Sequence, residues 1–257
     1  MAVFGIIGKP LSHSFSPEYF NAFFLNNHLP HTYIPFTLKS IATIRNLPIE
    51  YPDLAGFNVT IPYKKEIIPF LDAIDAQAAQ VGAVNTVTVM RTKNIFFLKG
   101  YNTDIYGILA TLELFDSQPT HALILGTGGA AAATAYVFLQ KGIKITFVST
   151  KPVSRSEVLP YAAITAKKMK EFDLIVNTTP LGMGDRIDKF PDIPYPALRP
   201  QTIAFDVIYN PHETLFLKKA KEQGCKTFNG YTMLVRQAEE AWKIWSNSKK
   251  NNPPYFW

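Results

Sequence analysis

The sequence predicts an α/β fold of two α/β domains, and three observations predict it. Short apolar runs alternate with amphipathic segments along the chain of 257 residues, which is the pattern of strands and helices in turn. The turn formers Asp116-Ser117-Gln118-Pro119 break the chain between an earlier series of elements and a second βαβ series. A glycine-rich segment beginning at Gly126 then follows an apolar strand and opens an Ala-rich helix. The expected boundary lies near Gly100 with a return crossing near Gly230, giving domains over 1–100 plus 231–257 and over 101–230.

Taken in order, the first strand is Val3 to Gly8. Ser16-Pro17-Glu18 opens a helix, with Ser16 as N-cap and Pro17 at the first helical position. His31 to Leu38 and Leu54 to Thr60 read as strands, and Pro62 starts a helix carrying Tyr63, Lys64 and Lys65. Asn85 to Met90 and Ile95 to Leu98 are strands joined by the basic turn Arg91-Thr92-Lys93-Asn94. Asn102-Thr103-Asp104 starts a helix with an apolar-periodic run from Ile105 to Phe115. Beyond the break come strand Ala122 to Leu125, helix Gly129 to Gln140, strand Ile143 to Val148, and further strands at Leu174 to Asn177 and Ile203 to Val207. A long amphipathic helix runs from Thr232 to Trp245, and Asn251-Asn252-Pro253-Pro254 is irregular.

Composition narrows the function. Hydrophobic residues make up 47% and charged residues 18%, which excludes disorder as the main state. The net charge of +6 is spread over Lys64-Lys65, Lys167-Lys168, Lys218-Lys219 and Lys249-Lys250, far apart in sequence. A nucleic-acid partner calls for a concentrated basic face, so small anionic ligands fit better. A single cysteine, Cys225, excludes an internal disulfide and a cysteine metal site, so no metal is expected. The opening residues lack the pattern of a signal peptide, and no apolar run reaches the ~18 residues of a membrane span. The expectation is a soluble, cytoplasmic chain with no membrane partner, whose oligomeric state the sequence leaves open.

The sharpest local signal is Gly126-Thr127-Gly128-Gly129-Ala130-Ala131, in the context where G-x-G-x-x-G/A binds a dinucleotide. Gly126 permits the tight turn, Gly128 lets backbone approach the pyrophosphate, and Ala131 keeps helix and strand close. The helix start offers free N–H groups to phosphate. An NAD site usually places Asp or Glu about 20 residues on, to hold the ribose 2′-hydroxyl. Here the strand ends at Ser149-Thr150-Lys151, with Arg155 shortly after and no carboxylate before Glu157. Hydroxyls and cations suit a 2′-phosphate, so the cofactor expected is NADP.

Three further segments place polar residues where a fold alone does not need them. Ser12-His13-Ser14-Phe15-Ser16-Pro17 gathers hydroxyls by a helix start, where a carboxylate can be held. In Asn58-Val59-Thr60-Ile61-Pro62-Tyr63-Lys64-Lys65, Lys64 falls in the expected first helical turn. There the dipole and the adjacent Lys65 both favour release of its proton, as acid–base work requires. Asp104, at the next helix start, can accept from a substrate hydroxyl and pair with a lysine. A cap, surface lysines and a helix-start acid account for each segment singly; their combination with the glycine loop points to an enzyme site.

Together these motifs resemble the shikimate dehydrogenase family, from Gly8 to about Trp245. Gly8-Lys9-Pro10 with His13-Ser14-Phe15-Ser16-Pro17 is similar to the family's opening motif, and Asn58 to Lys64 to its lysine motif. Gly82-Ala83-Val84-Asn85-Thr86, Asn102-Thr103-Asp104 and the Gly126 loop follow. Then come Asn177-Thr178-Thr179-Pro180-Leu181-Gly182-Met183, Asp206-Val207-Ile208-Tyr209, and Gly230 with Met233 to Ala238, all in the family's order.

The resemblance implies reduction of 3-dehydroshikimate to shikimate with NADPH, on the route to chorismate and the aromatic amino acids. It implies an N-terminal substrate domain, a Rossmann-like NADP-binding domain, and a last helix returning to the first. Ser14 and Ser16 would hold the substrate carboxylate. Thr60, Asn85, Asp104 and Gln237 would contact the ring hydroxyls, with Tyr209 beside them. Lys64 would donate the proton to the ketone oxygen, with Asp104 as its partner. Gly126, Thr127, Gly128, Gly129 and Ala130 would hold the pyrophosphate, and Val207 and Gly230 would lie near the nicotinamide.

The chain departs from the family where its cofactor strand often ends Asn-Arg-Thr. Ser149-Thr150-Lys151 stand there, leaving Lys151 or Arg155 to supply the cation. Phe20 replaces a usual His and Ile105 a common Gly. Two other readings stay open: a quinate/shikimate dehydrogenase with broader substrate and NAD use, and a non-catalytic binding protein on the same scaffold. The absent carboxylate argues against NAD, and the presence of both Lys64 and Asp104 against a pure binder.

Overall fold

Along the first strand the side chains alternate between two cores. Ala2, Phe4 and Ile6 join an aromatic-rich cluster on one face, while Val3 and Ile7 join a mainly aliphatic one on the other. The computed structural model describes residues 1–11, 14–92, 95–150 and 158–250, with only the backbone of Lys249 and Lys250. It divides into two units: Met1–Thr103 with the chain from Ala238 onward, and Asp104–Gln237. The crossings expected at 100 and 230 compare with these divisions after Thr103 and Gln237, so Tyr231 to Gln237 group with the second unit.

The first unit contains β1 (Ala2–Ile7), α1 (Ser16–Asn26), β2 (His31–Phe36), α2 (Leu47–Glu50), β3 (Leu54–Val59), β4 (Ala73–Ile74), α3 (Ala76–Val81), β5 (Thr86–Thr92) and β6 (Ile95–Tyr101). Its sheet runs β2-β1-β3-β5-β6-β4. β1 pairs in parallel with β2 and β3, and β5 runs antiparallel to β3 and β6. Registers Ile7–Val59, Asn58–Thr86 and Thr86–Tyr101 bring the ends of β1, β3 and β6 and the start of β5 to one edge.

The second unit contains α4 (Asp104–Leu112), β7 (His121–Leu125), α5 (Gly129–Gln140), β8 (Lys144–Val148), β9 (Val158–Leu159), α6 (Ala166–Met169), β10 (Leu174–Asn177), β11 (Ile203–Asp206), α7 (Leu215–Lys221) and β12 (Lys226–Phe228). Its sheet, β12-β11-β10-β7-β8-β9, is parallel throughout. All residues of β7, β10 and β11 except His121 are buried, as strands covered on both faces require. The last helix, α8 (Tyr231–Lys250), contains the division between the units. In the first unit it docks through Trp245. The indole N–H donates to the Val87 carbonyl at 3.0 Å, and a Cβ at Gly56 would strike the ring.

Several expectations are corrected. Ser16 is the first residue of α1, not its N-cap. Phe15 precedes it in helical conformation with no side-chain cap, and the Ser16 hydroxyl is hydrogen-bonded to the Tyr33 phenol instead. No α-helix starts at Pro62. The Lys64 carbonyl is taken by the Val84 N–H at 2.7 Å, which denies it to a helical ladder. The segment is a run of turns ending in a short 3₁₀ stretch, Ile68–Phe70, so the helix-dipole argument for Lys64 lapses. α4 stops at Leu112, because Leu114 and Phe115 tighten to i→i−3 bonds on Thr111 and Leu112. α8 starts at Tyr231, whose N–H donates to Asn229 Oδ1 at 3.1 Å, and runs on to Lys250. The pieces the sequence reading missed, β4, α2, α3, β9, α6, α7 and β12, are two to seven residues long. They are too short to show a period.

Candidate functional site

In the first unit, backbone hydrogen bonds lace four segments together where the strands end. Thr60 donates to the Ile7 carbonyl at 2.9 Å and Lys9 to the Ile61 carbonyl at 2.8 Å. Val59 donates to Asn85 O at 2.8 Å, and Asn85 N to Tyr101 O at 3.0 Å. The Val84–Lys64 bond adds the lysine turn. Thr60 and Lys64 are thereby held half-buried beside buried Asn85, while Lys65 is exposed. Ser14, half-buried, donates its N–H to Leu11 O at 3.0 Å; Ser12 and His13 lie outside the described residues.

Beneath this edge runs a buried polar network. The Tyr33 hydroxyl donates to Asn58 Oδ1 at 2.7 Å. Asn58 Nδ2 donates to the Asn85 carbonyl at 3.2 Å and to Thr86 Oγ1 at 3.1 Å. Asn85 Nδ2 donates to Thr103 Oγ1 at 3.0 Å, and Asn85 Oδ1 accepts the Thr103 N–H at 2.7 Å. Burial pushes the Tyr33 phenol well above its ordinary pKa, against the lowering pull of the Ser16 hydrogen bond. The network thus joins Ser16 at one end to Asn85 at the other, two residues read as site residues. Tyr33, Asn58, Thr86 and Thr103 were not; a polar residue interrupting an apolar strand was the available signal.

In the second unit, Gly126 sits at φ +109°, a left-handed conformation, and a Cβ there would meet Thr178 Oγ1 at 2.8 Å. Gly126 N–H donates to Val148 O at 2.8 Å, seating the turn between β7 and β8. Gly128 caps α5 in extended conformation with no side-chain cap bond, and nothing stands within 4 Å of a Cβ built on it. No side chain of the cap residue covers the start of α5, and half-buried Thr127, Gly129 and Ala130 surround it, with buried Ala131 at its first turn. This backbone cradle, closed to side chains at Gly126 and open at Gly128, fits a dinucleotide pyrophosphate. Half-buried Ser149 and exposed Thr150 follow β8; Lys151 and Arg155 lie outside the described residues.

Val207 and Gly230 are brought together: a Cβ at Gly230 would run into the Val207 carbonyl, and Gly230 N–H donates to Ile208 O at 2.9 Å. Tyr209 is half-buried on the same loop. Gln237, half-buried on α8, donates to Leu234 O at 2.9 Å. Asp104 opens α4 and is only 3% exposed. Among the described residues, no group of three or more His, Cys, Asp or Glu side chains is placed to hold a metal, and no helix is long and apolar enough to cross a membrane.

Asp206, fully buried at the end of β11, accepts from the Thr214 hydroxyl at 2.6 Å, the Ile208 N–H at 3.0 Å and Asn177 Nδ2 at 3.2 Å. Burial raises its pKa to about 7, and the three hydrogen bonds pull the other way.

Comparison with known proteins finds relatives over almost the whole chain. A model of the shikimate dehydrogenase substrate binding domain matches residues 6–87. The chain is 35% identical to the shikimate dehydrogenase (NADP(+)) of Desulforamulus reducens, over 95% of this chain and 89% of that one. Among solved structures it is similar to shikimate dehydrogenase 1 of Peptoclostridium difficile. That pair has a TM-score of 0.84 and 35% identity, covering 98% of this chain and 94% of the other. It is also similar to the Thermus thermophilus shikimate 5-dehydrogenase in complex with NADP(H) and shikimate, at a TM-score of 0.82 and 28% identity, covering 96% and 94%.

Proposed function

This chain belongs to the shikimate dehydrogenase family, and from that premise we propose that it reduces 3-dehydroshikimate to shikimate with NADPH. The observation that carries the reading is the backbone cradle at Gly126 and Gly128, on the same chain as the laced edge that holds Thr60, Lys64 and Asn85. NADPH, when bound, supplies the hydride. Gly126 to Ala130 would receive its pyrophosphate, and Val207 and Gly230 would lie near the nicotinamide. Ser149 and Thr150 would meet the ribose 2′-phosphate, and Lys151 or Arg155 would supply the cation.

The chain's own chemistry is binding, orientation and one proton. Ser14 and Ser16 hold the substrate carboxylate. Thr60, Asn85, Asp104 and Gln237 orient the ring hydroxyls beside Tyr209, so that the ketone is presented in one geometry. Lys64 Nζ stabilises the charge developing on the ketone oxygen and then gives it a proton; in the reverse direction it takes that proton back. Asp104 is the carboxylate partner of this step. The protein works in the cytoplasm on a small molecule, with neither nucleic acid nor membrane as partner.

The test is to follow NADPH or NADH absorbance with shikimate and quinate in turn. Turnover of shikimate with NADP+ at the highest kcat/KM is expected. Faster turnover of quinate with NAD+ would establish the broader activity instead, and no turnover with any pair would defeat the enzymatic reading.

A further inference from the structure

The glycine turn, the loop after β10 and the loop after β11 all leave the same end of the second sheet, and β10 stands between the other two strands. Asn177, the last residue of β10, is in register with Leu125 on one side and Asp206 on the other. Two neighbouring side chains exploit that position. The Thr178 hydroxyl donates to the Leu125 carbonyl at 2.6 Å, immediately before Gly126. Asn177 Nδ2 donates to the Asp206 carboxylate and, at 3.1 Å, to the Leu181 carbonyl. Its Oδ1 accepts from Thr179 N–H at 3.1 Å and Thr179 Oγ1–H at 2.7 Å.

Asp206 extends the chain of contacts. Each group it meets is a donor: the Asn177 amide, the Ile208 N–H and the Thr214 hydroxyl. Thr214 is in turn the N-cap of α7, accepting Leu217 N–H at 3.3 Å. Ile208 N–H lies between Val207, whose carbonyl touches Gly230, and Tyr209. A fold needs no carboxylate at the buried end of a parallel strand, where an apolar residue would avoid the cost of desolvating a charge. This one holds a loop start to two fixed elements.

We propose that Asp206 is a positioning residue for the reaction, clamping the Val207–Tyr209 loop to β10 through Asn177 and to α7 through Thr214. The assignment rests on the proposed dehydrogenase activity, since Val207 and Tyr209 matter only where a nicotinamide and a substrate ring meet them. The clamp acts by fixing the Ile208 backbone. Loosening it therefore lets the loop sample other positions, with a larger effect on turnover than on cofactor capture at the Gly126 cradle.

The experiment uses Asp206→Asn, Thr214→Val and Thr214→Ser, with two readouts. Amide hydrogen exchange of the ligand-free protein reports the clamp directly. In Asp206→Asn and Thr214→Val, exchange at Ile208 should rise about tenfold, as weakening of a buried hydrogen-bonded cluster implies, while β7 and α5 keep their protection. In the same variants kcat should fall about tenfold, with the NADPH dissociation constant, read by fluorescence titration, within about threefold of wild type. Thr214→Ser keeps the hydroxyl and should restore both. Unchanged Ile208 exchange, unchanged kcat despite faster exchange, or failure of Thr214→Ser to restore would each overturn the assignment. If Asp206→Asn fails to fold, the Thr214 pair decides. A wild type with no shikimate turnover would defeat the dehydrogenase reading and with it the positioning role. Turnover in wild type with unaltered variants would defeat the clamp alone.

Discussion

The side-chain oxygen of Asn85 accepts the backbone N–H of Thr103 at 2.7 Å, and its amide nitrogen donates to the Thr103 hydroxyl at 3.0 Å. Thr103 directly precedes Asp104 and α4. One amide, read as a contact for a substrate hydroxyl, therefore also fixes where the next helix begins. Thr103→Val keeps the shape but leaves Asn85 Nδ2 and the Thr86 hydroxyl short of a buried partner. Stability should fall by roughly 1–3 kcal/mol. Urea unfolding measures it, and an unmoved midpoint would show that these bonds are not structural.

Lys64 is anchored through its backbone to Val84, so truncating its side chain leaves the lysine turn in place. Lys64→Ala should lower kcat by about 10²-fold or more while KM for shikimate changes far less. Steady-state kinetics decide, and an unchanged kcat would reject the proton-donor role.

Asp104 and Lys64 are proposed to act as one unit. Asp104→Asn keeps the size of the side chain and removes its charge. The double variant Asp104→Asn/Lys64→Ala should then be scarcely slower than Lys64→Ala alone. Fully additive losses in log kcat would assign the two residues independent roles.

Thr150 is exposed two residues after the end of β8. NADP+ should be preferred over NAD+ by kcat/KM, and Thr150→Arg should widen the preference on the order of tenfold, because a planar guanidinium grips phosphate through two bonds. A ratio that does not move would place the 2′-phosphate elsewhere.

Asp206 links stability to pH. Its folded-state pKa is raised to about 7, above its ordinary value of 3.8, so the folded protein binds the proton more tightly than the unfolded chain. Its contribution is fully present below the unfolded value and is lost as pH rises through the folded one. Stability should decline between about pH 4 and pH 7 in wild type and decline less in Asp206→Asn. Urea unfolding across that range tests it; parallel curves for the two proteins would exclude Asp206 as the titrating group.

Period and turn chemistry in the sequence were enough to determine most of the architecture. Short apolar runs located β1, β3 and β5. The Gly126 turn between an apolar strand and an Ala-rich helix located the cradle, because only glycine adopts φ +109° there without strain. Lys64 and Asp104 were legible as polar residues at expected helix starts, and Asn85 only through the family resemblance. The tertiary structure decided what depends on contacts distant in sequence. Val84 takes the carbonyl that would have built a helix around Lys64, and Tyr33 takes the hydroxyl that would have capped α1. Asn177, Asp206 and Thr214 become one cluster only when parallel pairing sets β10 beside β11. Local propensity acts over a few residues along the chain, whereas a buried hydrogen bond is settled by whichever donor the fold brings within reach.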